Sequence, residues 1–158
     1  MTRTMLAALV LGALLVVPTV RAAELTREEY VARVEPICKR NTEANKRIFA
    51  GAKEEVKAGK LKLAAGHFAR ARTALEKTVR QLKAVPEPAA DEAKLAKWIG
   101  YLESESAYIG RIGKALAQGN KGKAQTLSVQ LNRNSNLANN AVLSFGFDYC
   151  KLDPSRFT

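Results

Sequence analysis

Apolar residues recur every three or four positions along most of this chain, the spacing that lines one face of an α-helix. The cleanest stretch is Leu61, Ala64, Phe68, Ala71, Leu75, Val79, Leu82 and Val85. It stops at Val85-Pro86-Glu87-Pro88, because the residue before a proline avoids the α conformation. A helix before it is expected to start at the capping box Thr26-Arg27-Glu28-Glu29 and to end near Gly59. Its apolar line is Tyr30, Val34, Ile37, Cys38, Ile48, Phe49, Ala52 and Val56, and Pro36 inside that line should kink the helix or delay its start. A third helix is expected from Pro88, with Asp91 and Glu92 in its first turn and Leu95, Trp98, Ile99, Leu102, Ile109, Ile112 and Leu116 on its inner face. It ends at Gln118-Gly119-Asn120. A fourth should run from Lys121 to Ser144, stop at Gly146, and fold Phe147 back onto its last turn. Short links between long helices predict an all-α, up-down-up-down four-helix bundle, with a helix–turn–helix repeat pair as the alternative.

The N-terminus breaks this pattern. Arg3, the apolar run from Met5 to Val17, and Val20-Arg21-Ala22 read as a secretory signal peptide over residues 1–22, leaving one domain at 23–158. The apolar run is shorter than the ~20 residues a spanning helix needs, and no second stretch is long enough to cross a bilayer. The expected location is therefore extracytoplasmic, secreted or attached to the cell envelope.

Export changes how Cys38 and Cys150 are read. In a bundle with this helix order, the start of the first helix and the end of the fourth lie together, so the two cysteines become neighbours. A disulfide between them suits an oxidising compartment, and it removes the chain's only thiols as nucleophiles.

Charge sharpens the picture further. The formal net charge is +11, and +9 once Arg3 and Arg21 leave with the signal. Residues 57–83 carry eight basic side chains against Glu76 alone, and residues 106–147 carry five with no acid. Residues 86–105 instead hold five acids and two lysines, so the charge is polarised. The candidate basic surface comprises Lys60, Lys62, Lys77, Arg80 and Lys83 on the second helix, with Arg111, Lys114, Lys121, Lys123 and Arg133 on the third and fourth. Such a surface suits an anionic envelope polymer, a lipid surface or an acidic protein; no nucleic-acid motif is present. The plainer reading is a solvated, lysine-rich helix surface.

Catalytic parts are missing from the sequence. His67 is the single histidine, no metal-ligand spacing or glycine-rich phosphate loop occurs, and no cofactor is expected. What resists a bland reading is a set of polar residues on core-facing lines: Asn41 and Asn45, Glu105 or Ser106, and Asn134, with Arg70 and Arg72 expected at the same height. On helical rise, Asn41 and Glu105 should stand ~22 Å from the cysteine end and Asn134 ~16 Å from it. These residues form either a polar layer that sets helix register or a pocket for a small ligand, which would make the protein a carrier or sensor. Asn132, Asn134, Asn136, Asn139 and Asn140 are poor helix formers and should weaken the fourth helix.

Three motifs carry a resemblance. Val34-Glu35-Pro36-Ile37-Cys38, Val85-Pro86 ahead of the helix bearing Trp98, and Phe145-Gly146-Phe147-Asp148-Tyr149-Cys150 make the chain resemble a loose group of small exported helical proteins of high-GC Gram-positive bacteria. That group has no established activity. The resemblance implies export, the disulfide and the helical fold, and it supplies no catalytic residue. The function expected from the sequence is a secreted or envelope-associated binding or structural module, not an enzyme.

Overall fold

The capping box forms as the sequence predicts. Thr26 Oγ1 accepts the Glu29 N–H at 3.2 Å, and the Glu29 carboxylate accepts the Thr26 N–H at 2.9 Å. From there α1 runs over Arg27–Ile48. The computed structural model describes residues 25–152, so the expected signal peptide at 1–22 lies outside the described residues. Among those residues the chain is all-helical: α1 is followed by α2 (Ala52–Lys57), α3 (Leu61–Lys83), α4 (Glu92–Ala117) and α5 (Lys121–Ala141), with short 3₁₀ turns at Ala89–Asp91 and Leu143–Phe145. Helix α4 packs against both α3 and α5, and α1 packs against α3.

Several boundaries differ from expectation, each for a local reason. The first predicted helix is two: Gly51 takes a left-handed φ of +80°, which ends α1 and restarts the chain as α2. Periodicity hid the break because Ile48, Phe49 and Val56 are partly buried against the same core and Ala52 is buried. Pro36 neither delays α1 nor ends it, and its ring faces solvent. Pro88 precedes a 3₁₀ turn, and α4 begins at Glu92; Asp91 is left to bind Arg27. The fourth predicted helix stops at Ala141 and tightens into the Leu143–Phe145 turn before Gly146, whose φ of +65° makes it the expected stop.

The core is one cluster. Trp98, Leu95 and Tyr30 are fully enclosed, and Phe147 stacks on Phe145 at 5.3 Å between ring centres and lies 5.4 Å from Trp98. Where α3 meets α4, Lys83 binds Glu103, Ser106 binds Glu76, Arg72 lies over Gly110, and Phe68 and Ala65 lie against Gly113. A Cβ on Gly113 would come within 3.0 Å of Phe68 Cβ, so that glycine lets the two helices approach.

Candidate functional site

After Gly146 the chain does not leave the bundle. Residues 146–152 form a strap fixed at three points. The Glu35 carboxylate on α1 accepts the Asp148 and Tyr149 N–H groups at 2.8 and 2.9 Å. Cys150 is joined to Cys38 in a disulfide, with Cα atoms 5.0 Å apart. Asn139 on α5 then holds Leu152 on both sides, donating to its carbonyl at 2.9 Å and accepting its N–H at 2.8 Å. One member of the asparagine-rich run thus does for the strap what a neighbouring strand would do.

Beneath the strap lies a cavity of about 40 Å³. Asn41, Thr42 and Asn45 reach it from α1, Thr78 from α3, and Trp98 and Glu105 from α4. Leucines and Ile109 form its apolar walls, and Tyr149 to Leu152 line it from the strap. Glu105 is only 2 % exposed and lies 3.2 Å from the Ser135 hydroxyl oxygen, which is also 3.0 Å from the Leu131 carbonyl oxygen. Asn45 Oδ1, Asn41 Oδ1 and the Trp98 indole N–H find no protein partner. Buried polar atoms are normally satisfied, so three orphans around one cavity need a physical account.

The polar residues expected to share a layer therefore divide. Asn41, Asn45 and Glu105 meet at the cavity, whereas Asn134 donates instead to the Tyr101 carbonyl at 2.9 Å. Arg70 and Arg72 stay outside it. Both flank the buried Ala71, and their long side chains turn to His67 and to Glu76 at 3.0 and 2.7 Å. The heights also need correction. Asn41 sits one turn beyond Cys38 and shares the cavity wall with Cys38 and Cys150, because the strap carries Cys150 back along α1 rather than leaving it at a bundle end. Thr42, Thr78 and Trp98 were not in the sequence-based set. Threonine and tryptophan on an apolar line read as ordinary core, so their only signal was spacing: Thr42 follows Cys38 by four and Thr78 follows Leu75 by three.

His67 occupies a separate joint. Its Nε2 is 3.0 Å from Glu55 on α2, and its Nδ1 bonds the Ile48 carbonyl at the end of α1. The ring thus ties α3 to both pieces of the split first helix.

The ten basic candidates are all exposed, and the fold gathers some of them. Gly59 and Lys60 with the first turn of α3, Leu61 to Leu63, share a shallow depression of about 600 Å³ with Leu116–Gly119. An adjoining apolar groove of about 530 Å³ runs from Val56 and Phe68 to Lys121 and Val129. Lys114 lies in the last turn of α4 and Lys123 near the start of α5, on either side of the turn that joins them. Leu63, which lines the depression, is 59 % exposed, and Val129, which lines the groove, is 51 % exposed. Lys83 and Arg80 instead line a groove with Glu76 and Glu103, and Lys83 is paired to Glu103 at 3.1 Å. Arg111 lies 4.2 Å over the Tyr108 ring, Lys77 lies on α3, and Arg133 on α5.

Among the described residues, no group of three His, Cys, Asp or Glu is placed to hold a metal ion, and no helix is long and apolar enough to cross a membrane. Compared with known proteins, the chain matches no family model, no curated protein and no solved structure.

Proposed function

We propose that this protein is an exported, up-down-up-down helical bundle that docks on an anionic lipid surface of the cell envelope. The docking face is the region where Lys60 and Lys62 meet the α4–α5 turn. One observation carries the reading: Lys60 and Lys62 line a depression with the exposed Leu63, and Lys121 lines the apolar groove that adjoins it. No acid occurs on α4 after Glu105 or anywhere on α5, while Glu55 on the nearby α2 is engaged by His67.

A lone basic patch would suit any polyanion. Exposed leucine and valine among lysines favour an interface that accepts both charge and hydrocarbon, as a lipid headgroup layer does. A lysine close to an anionic membrane gains about 1 kcal/mol, so five correspond to roughly 5 kcal/mol and reversible docking near ~0.2 mM before any gain from Leu63. The disulfide supports an oxidising location. The opposed order of contacts along α3 and α4, Lys83 with Glu103 through to Phe68 with Gly113, supports the up-down topology.

Co-sedimentation with vesicles tests this function. Phosphatidylglycerol vesicles should pull down the protein, and phosphatidylcholine vesicles should not. Lys60→Glu with Lys121→Glu should weaken the binding at least ~10-fold, each charge reversal removing roughly two lysine contributions. Equal binding to both vesicles, or no effect of the double variant, would contradict the proposal. Binding to soluble polyphosphate without vesicle binding would assign the face to a polymer instead.

A further inference from the structure

Two openings of the molecule differ in capacity. The strap cavity, at about 40 Å³, has room for a few waters beside its orphaned Asn41, Asn45 and Trp98 groups, since one water needs ~10–15 Å³ of such volume. The apolar groove beside the docking lysines is about 530 Å³, within the roughly 300–1,000 Å³ of small-molecule sites. We infer that this groove binds the hydrocarbon chain of a single-chain anionic lipid, with the headgroup at Lys121 and the Lys60–Lys62 depression. The inference rests on the docking reading above and names what that face takes from the lipid surface.

Helix packing builds the groove. Helix α2 packs on α3 and α5 packs on α4, which leaves a channel between Val56 of α2 and Val129 of α5. The buried Phe68, Ile112 and Leu116 form its floor. Ala124 and Ser128 line it from α5, and both are too small to fill it. His67 holds the α2 side in place through Glu55 at 3.0 Å. From Lys121 to Val129 the α5 side is eight residues long, or ~12 Å at helical rise. One apolar channel of that length covers one hydrocarbon chain, and a two-chain lipid would leave its second chain in water.

Charge selects the headgroup. Leu116 lines both the groove and the depression, so the two are continuous. Lys121 lines the first, Lys60 and Lys62 line the second, and no acid lines either. The first turns of α3 and α5 carry no acid. An apolar channel alone would take any greasy ligand; a channel that opens among lysines favours one with an anionic end.

Calorimetry on the oxidised full chain, with no vesicles present, tests the groove with hexanoate, octanoate and decanoate as probes. Binding should saturate, with affinity rising about fourfold per methylene, the gain from burying one CH₂. Octanol should bind more weakly than octanoate, and Lys121→Glu should erase that difference. Ser128→Phe fills the groove from α5 and should weaken decanoate binding at least ~10-fold, about the loss of two buried methylenes. Should that variant not fold, Val129→Asp, at a half-exposed position, should weaken binding likewise. Equal affinity for the three alkanoates, no saturation, or full affinity in a folded groove variant would overturn the site. Vesicle docking without decanoate binding overturns the groove alone. Decanoate binding without vesicle docking upholds the groove and contradicts the docking reading instead.

Discussion

Tyr30 is fully enclosed, and its hydroxyl has no protein partner. Burial, and then the charge of Glu87, push its pKa well above the usual tyrosine range, so the phenol stays neutral. A buried hydroxyl without a partner costs desolvation and returns nothing, so Tyr30→Phe should leave stability unchanged or raise it by up to ~1 kcal/mol in urea denaturation. The ring's edge contact with Phe145 survives the change. A loss of stability would reveal a partner for that hydroxyl. Asp91 behaves oppositely. Arg27 holds it with two bonds of 2.7 Å, and Lys94 adds a third at 3.4 Å. The hydrogen bond to Arg27 is the main reason its pKa falls below the usual carboxylate range despite burial. A depressed carboxylate pKa stabilises the fold above about pH 4, and that contribution is lost as pH falls through the folded-state value. Asp91→Asn should therefore lower the urea midpoint at neutral pH and flatten its decline in acid. An unchanged acid limb would show that other carboxylates govern it.

Between elements, close approach outweighs intrinsic propensity. Alanine is a better helix former than glycine by about 1 kcal/mol, so Gly113→Ala would stabilise an isolated α4. In the folded chain the new methyl meets Phe68 at 3.0 Å and the Ala65 carbonyl at 3.4 Å, and overpacking of this kind costs about 1–3 kcal/mol. The variant should be less stable, while Gly100→Ala, with open space around it, should be more stable. The strap makes a second prediction. Glu35→Ala removes the acceptor of two backbone N–H groups and should cost about 1–2 kcal/mol, with faster hydrogen exchange at Asp148 and Tyr149. This is also the scale at which the sequence was most legible. Thr26, Gly146 and the apolar lines of α3 and α4 state their roles locally, through capping chemistry and period. The break at Gly51 was not legible, because both pieces bury one continuous stripe. Nor was the strap, since Glu35 and Asn139 act on residues more than ten positions away and no periodic signal marks such bonds. The cavity was half legible: polar residues on apolar lines pointed to Asn41, Asn45 and Glu105, while direction of the side chain decided against Arg70 and Arg72.

Over the whole molecule, one covalent link joins α1 to the far end of the chain. Its loop spans 112 positions, so on the chain-entropy model reduction should cost at most ~4–5 kcal/mol. Melting temperature should fall on reduction while the mass in solution stays that of a monomer. A dimer that separates on reduction would show pairing between chains instead. The same frame keeps the lysine-rich face and the cavity under the strap apart, one lined by exposed charge and the other by buried acceptors. These differ in their response to salt, since exposed charges are screened over ~10 Å at ~0.1 M salt and enclosed ones far less. The most direct measurement is the affinity for phosphatidylglycerol vesicles followed from ~10 mM to ~150 mM salt. Docking through Lys60, Lys62, Lys114, Lys121 and Lys123 predicts a steep loss of affinity across that range, and a much shallower loss for the Lys60→Glu, Lys121→Glu variant. Affinity that holds constant as salt rises would contradict the assignment of this face.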